Sequence, residues 1–504
     1  MVVGFLGAAG HMGFPSLEEI IKIKEVDKVK VLLEVKYKRN KLVEKLAKKN
    51  PGKIEISYGN IANKEDVFKL VEGCSYLFNL AAAIPPRADK FPNDSYLANE
   101  VGVKNVVEAV EKNPTCKLID TTTVALYGHR NTFKHAWVRV GDPLFPGIFD
   151  FYTVHKLRGE FAILESNIPY FVVIRQSAMI YLDMLTANMG DGLMFHTPFN
   201  NAIEWSTAED SGRLLANIIR EDLKGNLTYD NFWKKIFDLG SGEESRITGY
   251  ETVQGGFSLF GGQVKDFYNP NECCTQNFHC GYFADGEKLN DLLHYRQDKI
   301  GDYWAKILKA HSELKFAKLA PKKLIRKFSL EKTMKDSNAP QYWYAHGDVP
   351  RITAFFGSME AYENQPKKWE DFKLWDYKAN RSIKSYNPIN YGFDIEKDDK
   401  EITFEDLKNV AKMHGGKLLA TSFKKGDVYT KLEWENSDGK KFTARPFTVL
   451  RGGHWYNKLY KEYVWEFDRL SKKDKIYAQI WYDSHEKDEN FTYWFDENLE
   501  AHVK

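Results

Sequence analysis

The fold is decided by the stretch Val2-Val3-Gly4-Phe5-Leu6-Gly7-Ala8-Ala9-Gly10-His11-Met12-Gly13. Its short apolar run predicts a buried strand, and three glycines follow before an amphipathic helix. In such a turn the first glycine permits the tight bend, the second lets the backbone approach a pyrophosphate, and the third lets the helix pack on the strand. The N–H groups that begin the helix favour an anion. The sequence therefore predicts a dinucleotide-binding turn at residues 7–13.

Short apolar runs alternate with amphipathic helical patterns as far as residue 175. Strands separated by helices build a parallel sheet through right-handed crossovers. The pattern predicts an α/β fold with a doubly wound parallel sheet, the Rossmann arrangement. The predicted strands are Val2–Leu6, Val29–Leu33, Ile54–Tyr58, Tyr76–Leu80, Lys117–Thr121 and Tyr170–Arg175, and the predicted helices are Pro15–Lys24, Asn40–Lys48, Lys64–Val71, Tyr96–Glu111 and Phe151–Ser166.

The alternation becomes irregular after about residue 177, where we expect substrate-side segments. A Lys-rich stretch from Lys315 to Lys335 indicates a surface connection. We therefore place a boundary near residue 330, with a dinucleotide-binding domain at 1–330 and a C-terminal domain at 331–504. A helix at Phe404–Met413 followed by aromatic-rich strands predicts an additional α+β domain, which serves for interaction or covers the active site.

The composition excludes several classes of protein. The chain of 504 residues is 43% hydrophobic and 28% charged, which is typical of a globular protein of roughly two to four domains. Its 72 Lys and Arg against 70 Asp and Glu leave a net charge of +2, so no overall field attracts nucleic acid or an anionic membrane. Apolar runs are too short for a membrane span. Five cysteines without a disulfide pattern, and an N-terminus without a basic leader, predict a cytoplasmic location.

Two features of the second strand bear on the choice of cofactor. Glu34 closes that strand, where a carboxylate would accept the ribose hydroxyls of NAD and repel the extra phosphate of NADP. Against this, Lys36, Lys38 and Arg39 follow in the next turn and would neutralise a 2′-phosphate. NAD is slightly favoured, and NADP stays open.

A hydroxyl cluster and a tyrosine–lysine pair predict the catalytic site. Thr121, Thr122 and Thr123 end the fifth predicted strand, at the sheet edge where ligands bind. Tyr152 and Lys156 share a helix face one turn apart. An ammonium so placed lowers the pKa of a phenol from about 10 toward neutrality, as a general acid/base requires. Tyr37 and Lys41 have the same spacing without a hydroxyl cluster, so they are not the predicted pair.

Together these motifs resemble the extended branch of the short-chain dehydrogenase/reductase family, which includes nucleotide-sugar epimerases and dehydratases. The resemblance extends to the boundary near residue 330. It implies that Thr123 hydrogen-bonds the reacting oxygen and that Tyr152 transfers its proton. It further implies that Lys156 holds the nicotinamide ribose and that Asn99 anchors a proton-relay water. The cofactor contacts it implies are Gly7, Gly10, His11, Met12, Gly13, Glu34, Asn60, Ile61, Leu80, Ala81, Ala82 and Lys156.

The resemblance leaves the substrate undefined. Arg87, His129 and Arg130 follow motif ends that face the cleft in that family, and they are candidate substrate contacts. Methionines and aromatics around Tyr181 suit an apolar or planar ligand, and equally suit ordinary core packing. We expect an NAD(P)-dependent oxidoreductase acting on a hydroxyl or carbonyl carbon of a small molecule. A nucleotide-sugar epimerase or dehydratase with retained NAD, and a non-catalytic dinucleotide-binding sensor or scaffold, stay open, and the resemblance also suggests a homodimer.

The C-terminal segments 434–442 and 452–459 resemble a treble-clef zinc module. The positions where that module carries its ligands offer neither a thiolate nor an imidazole. We therefore predict a metal-free module held by its aromatic residues, and no metal site. The four ligand positions hold Asn436, Lys440, Tyr456 and Leu459.

Overall fold

The computed structural model describes residues 1–130, 132, 134–187, 190–376, 378–456, 465–491 and 493. Its strands are β1 Val2–Leu6, β2 Lys28–Glu34, β3 Ile54–Gly59, β4 Tyr76–Asn79, β5 Lys117–Thr123, β6 Trp137–Val138, β7 Phe171–Gln176, β8 Ala178–Ile180, β9 Ala202–Thr207, β10 Lys235–Leu239, β11 Arg246–Thr248, β12 Tyr282–Phe283, β13 Lys417–Leu418, β14 Leu432–Glu435 and β15 Lys441–Ala444.

The α-helices are α1 Gly13–Ile20, α2 Asn40–Lys49, α3 Lys64–Val71, α4 Arg87–Lys90, α5 Pro92–Ser95, α6 Gly102–Lys112, α7 Phe151–Leu164, α8 Met184–Ala187, α9 Ala208–Leu223, α10 Gly249–Ser258, α11 Val264–Phe267, α12 Glu287–Leu293, α13 Ile300–Ala310, α14 Leu314–Ala317, α15 Lys322–Ile325, α16 Glu331–Thr333, α17 Pro340–Ala345, α18 Val349–Phe356, α19 Met359–Glu363, α20 Phe404–Met413, α21 Pro446–Leu450, α22 Phe467–Ser471 and α23 Lys475–Trp481. Two π-helical turns lie at Tyr96–Val101 and Arg326–Leu330. Short 3-10 turns lie at Val124–Tyr127, Gly192–Phe195, Glu243–Ser245, Pro270–Glu272, Ala379–Arg381, Ile383–Ser385 and Asp399–Glu401.

A seven-stranded sheet forms the centre of the molecule. Its strand order is β10-β7-β5-β4-β1-β2-β3, and every neighbouring pair is parallel. The chain leaves β1 toward β2 and β3, and returns to β4 on the other side of β1. This reversal creates a crevice at the carboxyl ends of β1 and β4, where open α/β sheets bind ligands. The predicted doubly wound parallel sheet is confirmed.

The predicted helix at Tyr96–Glu111 differs from the structure in its first turns. Residues Tyr96–Val101 form a π turn, and the α-helix begins only at Gly102. A Cβ on Gly159 of α7 would lie 2.4 Å from the carbonyl oxygen of Asn99, so the π turn and α7 are in backbone contact. Periodicity alone does not reveal the extra residue of a π turn, because the surrounding apolar spacing stays helical.

The C-terminal part packs directly on the first half of the chain. Strands β13, β14 and β15 form a small antiparallel sheet. One hydrophobic cluster contains Leu164 of α7 together with Phe447 of α21, and the Phe145 ring stacks on Phe467 at 3.9 Å. Helix α7 is buried around most of its circumference for this reason. The division at residue 330 stays a prediction, and the two sides of it share one core.

In the part of the chain that the structure describes, no helix combines the length and the apolar composition that a membrane crossing requires.

Candidate active site

The glycine turn between β1 and α1 tolerates no side chain at its first and third glycines. Gly7 has a φ of +82°, and a Cβ there would lie 2.6 Å from the Leu80 carbonyl carbon. A Cβ on Gly13 would lie 2.1 Å from the Gly7 carbonyl oxygen. Helix α1 begins at Gly13 with no side-chain cap and no acidic residue in its first turn. Phe14 and Ser16 N–H donate to the Gly10 and Met12 carbonyls and Pro15 has no N–H, so an anion would meet the N–H groups of the turn that precedes them.

The positively charged Arg39 side chain contacts this turn. Its Nε donates to the Ala9 carbonyl at 2.9 Å, and its Nη1 lies 2.9 Å from Asp183 Oδ2. The His11 ring stacks on Tyr181 with centroids 3.8 Å apart. Burial, and then Arg39, lower the pKa of His11 to about 4, so this imidazole is neutral at physiological pH. The side chain of Met12 is buried.

The predicted ribose edge carries Glu34 at the end of β2, with 54% of its side chain exposed. Arg87 Nη2 lies 3.5 Å from Glu34 Oε1, and Arg87 Nε donates to Asp94 at 2.7 Å. Arg87, predicted as a substrate contact, thus pairs with two carboxylates at the predicted ribose edge. Asn60 is exposed and its side chain accepts from Ala62 N–H.

The remaining predicted cofactor contacts lie after β3 and after β4, and one of them contacts helix α6. Ile61 is buried, and a Cβ on Gly102 would lie 2.8 Å from its Cγ2. Leu80 and Ala81 are half-buried after β4, and Ala82 is exposed. This stretch lines the crevice at the carboxyl end of β4.

Asn99 fixes the chain after β4. Its Nδ2 donates to the Ala83 carbonyl at 2.8 Å and to Ser95 Oγ at 3.0 Å, while its Oδ1 accepts from Ala83 N–H at 3.1 Å. Both amide protons are used, and the side chain is fully buried. The side chain positions the loop after β4, and the implied role in anchoring a proton-relay water stays a prediction.

The structure brings Tyr152 and Thr123 together. The Thr123 side chain lies close enough to Tyr152 to lower its pKa, and Thr123 Oγ1 accepts from Ala125 N–H at 3.1 Å. Burial raises the pKa of Tyr152; the Thr123 side chain opposes the rise and the nearby Asp150 carboxylate adds to it. The phenol is thus protonated at neutral pH.

Lys156 is buried one turn further along α7. Its Nζ donates to the Thr121 carbonyl at 2.9 Å. Burial lowers the pKa of Lys156, against the opposing effect of the Asp120 and Glu160 carboxylates. The lowering of the Tyr152 pKa by Lys156 stays a prediction, because the shift of this phenol is set by its burial, by Thr123 and by Asp150.

A charged network lies beneath this pair. Asn79 Nδ2 donates to Asp120 at 2.6 Å, and burial raises the pKa of Asp120 to about 6. Burial alone would raise the pKa of Glu160, but the Arg175 guanidinium and the His454 hydrogen bond lower it to about 2. Lys156 therefore faces one carboxyl that titrates near neutrality and one that stays ionised.

The structure buries His129 and Arg130, and their role as substrate contacts stays a prediction. Arg130 is 1% exposed and its Nη2 lies 3.0 Å from Asp142, which also accepts from Tyr391 of the C-terminal part. Burial lowers the pKa of His129 to about 3, and the residue bridges to His279. Both residues join the first half of the chain to later segments.

Asp150 lies near Tyr152, Asp89 and His279 lie near Asp150, and all three were missed from the sequence. Asp150 caps α7 by accepting from Thr153 N–H at 2.9 Å, and its Oδ2 lies 3.1 Å from His279 Nδ1. Burial, and then Asp150, raise the pKa of Asp89 to about 7. An aspartate before a helix that carries a reactive tyrosine was the available signal for Asp150.

The positions that resemble zinc ligands are used for a turn and for packing. Asn436 Oδ1 accepts from Lys440 N–H at 2.8 Å and from Asp438 N–H at 3.0 Å, closing the turn between β14 and β15. Tyr456 packs on Phe442. Leu459 lies outside the described residues, and the treble-clef resemblance stays a prediction. Within the described ranges, no group of three or more His, Cys, Asp or Glu residues is arranged so that it could hold a metal ion.

The residues at the crevice fit a dinucleotide. Asn79 Oδ1 and Thr121 Oγ1 are buried at the carboxyl ends of β4 and β5, and neither has a hydrogen-bond partner within the described part of the chain. Unsatisfied buried polar atoms are rare and call for a partner. They lie beside the uncapped start of α1, so polar and anionic groups of one ligand would satisfy both regions.

The sequence of this region matches a known family. Residues 4–176 match the model of the 3-beta hydroxysteroid dehydrogenase/isomerase family. The match includes the glycine turn, Thr123, Tyr152 and Lys156, and over that range it supports the resemblance to extended short-chain dehydrogenase/reductases. A mouse sterol-4-alpha-carboxylate 3-dehydrogenase, decarboxylating, is 27% identical over 120 residues, which are 24% of this chain and 32% of the mouse protein. The chain thus spans about a third of the curated relative's length.

Solved structures with the same fold include the dTDP-glucose 4,6-dehydratase DesIV from Streptomyces venezuelae, described with NAD bound. It is 17% identical with a TM-score of 0.51, over 62% of this chain and 97% of that one. A double mutant of DesIV gives 16% identity and a TM-score of 0.50 over the same shares of the chains. These similarities establish the Rossmann-type fold.

Proposed function

We propose that the chain is an NAD(P)-dependent oxidoreductase that transfers a hydride between nicotinamide and a carbon bearing a hydroxyl or carbonyl. The observation that carries the proposal is the placement of Tyr152 beside the Thr123 side chain, with Lys156 one turn further along α7. These residues lie at the carboxyl end of β5, beside the crevice that the glycine turn borders. The family match over residues 4–176 supports the same chemistry.

The nicotinamide, when bound, supplies the hydride or accepts it. The Tyr152 and Thr123 hydroxyls would hold the substrate oxygen between them. In reduction, the carbonyl carbon gains the hydride while Tyr152 gives its proton to the carbonyl oxygen, and solvent then returns a proton to the phenolate. The raised pKa of Tyr152 keeps that proton in place before the reaction. Lys156 would stabilise the phenolate that forms.

We infer that the substrate is apolar, and a sterol with an oxygen at C3 is the first candidate. Leu182, Met184 and Leu185 follow β8 and pack half-buried against one apolar cluster. The Asp150 carboxylate near Tyr152 would repel a diphosphate placed beside it. The mouse relative is named as a sterol dehydrogenase.

We propose NAD as the preferred cofactor, with NADP as the alternative. Glu34 is placed to accept the adenosine ribose hydroxyls. Arg39 lies beside the same turn and would attract a 2′-phosphate. We further propose a cytoplasmic location, which the five free and buried cysteines suit. The homodimer stays a prediction.

The proposal is tested by following reduced cofactor in the absorbance of the full chain mixed with NAD⁺ or NADP⁺ and a 3β-hydroxysterol. We expect turnover that Tyr152→Phe lowers by about 10² to 10⁴-fold, the contribution of an acid/base group. The matched control is Tyr37→Phe, because Tyr37 has the same spacing to a lysine. Cofactor binding without turnover of any alcohol or ketone would instead support a sensor. Conversion of a dTDP- or UDP-sugar without added cofactor would support the epimerase or dehydratase.

A further inference from the structure

Residues 314–330, the basic apolar segment, differ in composition from the rest of this balanced chain. They contain six Lys or Arg residues and no Asp or Glu. The segment comprises α14, α15 and the π turn at Arg326–Leu330. The overall net charge of +2 does not reveal this excess of positive charge, because acidic residues elsewhere in the chain compensate for it. Its cations are Lys315, Lys318, Lys322, Lys323, Arg326 and Lys327.

Large apolar side chains project into solvent from the same segment. Leu319 is 83% exposed, Phe316 73% and Phe328 69%, which are the largest exposed fractions of big hydrophobic side chains in the described ranges. Leu324 adds a fourth at 49%. A cluster of exposed apolar residues on a monomer marks an interaction surface, whereas single ones need no explanation.

Two of the six cations form ion pairs that attach the segment to the rest of the protein, and the other four are available to bind a partner. Lys322 Nζ lies 2.7 Å from Asp266, and Arg326 pairs with Glu272. The other four cations are exposed and have no ion pair within the described residues: Lys315, Lys318, Lys323 and Lys327.

We propose that the basic apolar segment docks the protein on the surface of an anionic phospholipid bilayer. Exposed Phe and Leu side chains enter the boundary between headgroups and acyl chains, while neighbouring lysines pair with lipid phosphates. Charge complementarity selects this partner. A second copy of the chain would place the same positive segment against itself, and the alternation of lysines with large apolar residues suits a charged surface with an apolar interior.

The position of the segment relates it to the active site. Helix α13, which precedes the segment, packs in the apolar cluster that includes Met184 and Leu185. His311 Nε2 lies 3.3 Å from Asp183, whose other oxygen pairs with Arg39 at the glycine turn. Docking would therefore bring the substrate side of the crevice toward the lipid. This last step rests on the proposed function; the docking itself does not.

The test is cosedimentation of the full chain with vesicles of phosphatidylcholine alone and with vesicles that also contain phosphatidylserine. We expect binding that rises with phosphatidylserine and falls with salt. Replacing Lys315, Lys318, Lys323 and Lys327 by Gln should weaken it by nearly three orders of magnitude, since each lysine contributes about fivefold. The triple variant Phe316→Ser, Leu319→Ser, Phe328→Ser should lose binding to both vesicle types.

Matched controls are Lys48→Gln with Lys49→Gln, and Ile383→Ser, which change exposed residues elsewhere. The proposal is overturned if the wild-type chain binds neither vesicle, if it binds polyglutamate but not vesicles, or if the segment variants bind as the wild type does. Because the replaced residues are exposed, the variants should keep the wild-type melting temperature. If one of the segment variants misfolds, the dependence of wild-type binding on salt and on phosphatidylserine still tests whether the protein docks on an anionic bilayer. Hydride transfer is measured without vesicles, so failure of docking is distinct from failure of the proposed activity.

Discussion

His454 Nε2 lies 3.1 Å from Glu160 Oε1, across 294 residues of sequence. Glu160 follows Lys156 by one turn on α7, and Arg175 binds both of its carboxylate oxygens, at 2.5 and 3.2 Å. Arg175 also donates to the Gly452 carbonyl at 2.6 Å. The C-terminal part thus contributes hydrogen-bonding groups to the buried network directly beneath the proposed catalytic pair.

Replacing His454 by Ala should destabilise the protein through this network. The change removes a hydrogen bond from a buried carboxylate, which costs about 1–3 kcal/mol. Glu160 has a lowered pKa, so its contribution to stability is present above pH 4.5 and is lost as the pH falls toward about 2. Urea unfolding at pH 7 should show the loss. His346→Ala, which removes an exposed histidine, is the control, and equal midpoints for the two variants would contradict this account.

Gly13→Ala should abolish or strongly weaken cofactor binding. The new Cβ would lie 2.1 Å from the Gly7 carbonyl oxygen, so the glycine turn must open. We expect the dissociation constant for NAD(P), measured calorimetrically, to rise at least tenfold, or about 1.4 kcal/mol. Gly301→Ala is the matched control on a helix, because nothing lies within 4 Å of its added Cβ. A Gly13 variant that binds as tightly as that control would refute the predicted turn.

The central strands could be predicted from the sequence because they are buried on both faces. β1 has the predicted bounds, and the glycine turn follows it directly, so local composition decides both. The pairing of Tyr152 with Thr123 follows from the same regularity, since the end of β5 and the start of α7 meet at one sheet edge. The short-range sequence pattern is sufficient to predict the structure wherever the fold repeats a common supersecondary unit.

The electrostatic environment could not be predicted from the sequence. Arg130 follows a motif end that suggests a cleft, yet Asp142 and Tyr391 bury it. The raised pKa of Tyr152 depends on the burial of the phenol in the fold. Such burial depends on long-range packing, which single-residue spacing does not encode.

The choice between NAD and NADP should respond to Glu34. Glu34→Gln removes the charge that would repel a 2′-phosphate while Arg39 remains beside the turn. We expect the ratio of kcat/KM for NADP⁺ to that for NAD⁺ to rise by about tenfold. Glu44→Gln, on the exposed side of α2, is the control. An unchanged ratio would place the ribose away from Glu34.

Asp89→Asn should stabilise the protein at alkaline pH and have little effect under acidic conditions. The pKa of Asp89 is about 7, raised from 3.8 by burial and by Asp150. A raised folded-state pKa means that stability is fully present below pH 3.8 and is lost as the pH rises through about 7. Asparagine cannot ionise, so the variant escapes this loss, and the melting temperature at pH 8 should exceed that of the wild type while the two agree at pH 4. Asp230→Asn, at an exposed carboxylate, should show no such divergence. A pH-independent difference between Asp89→Asn and the wild type would mean that Asp89 ionises normally.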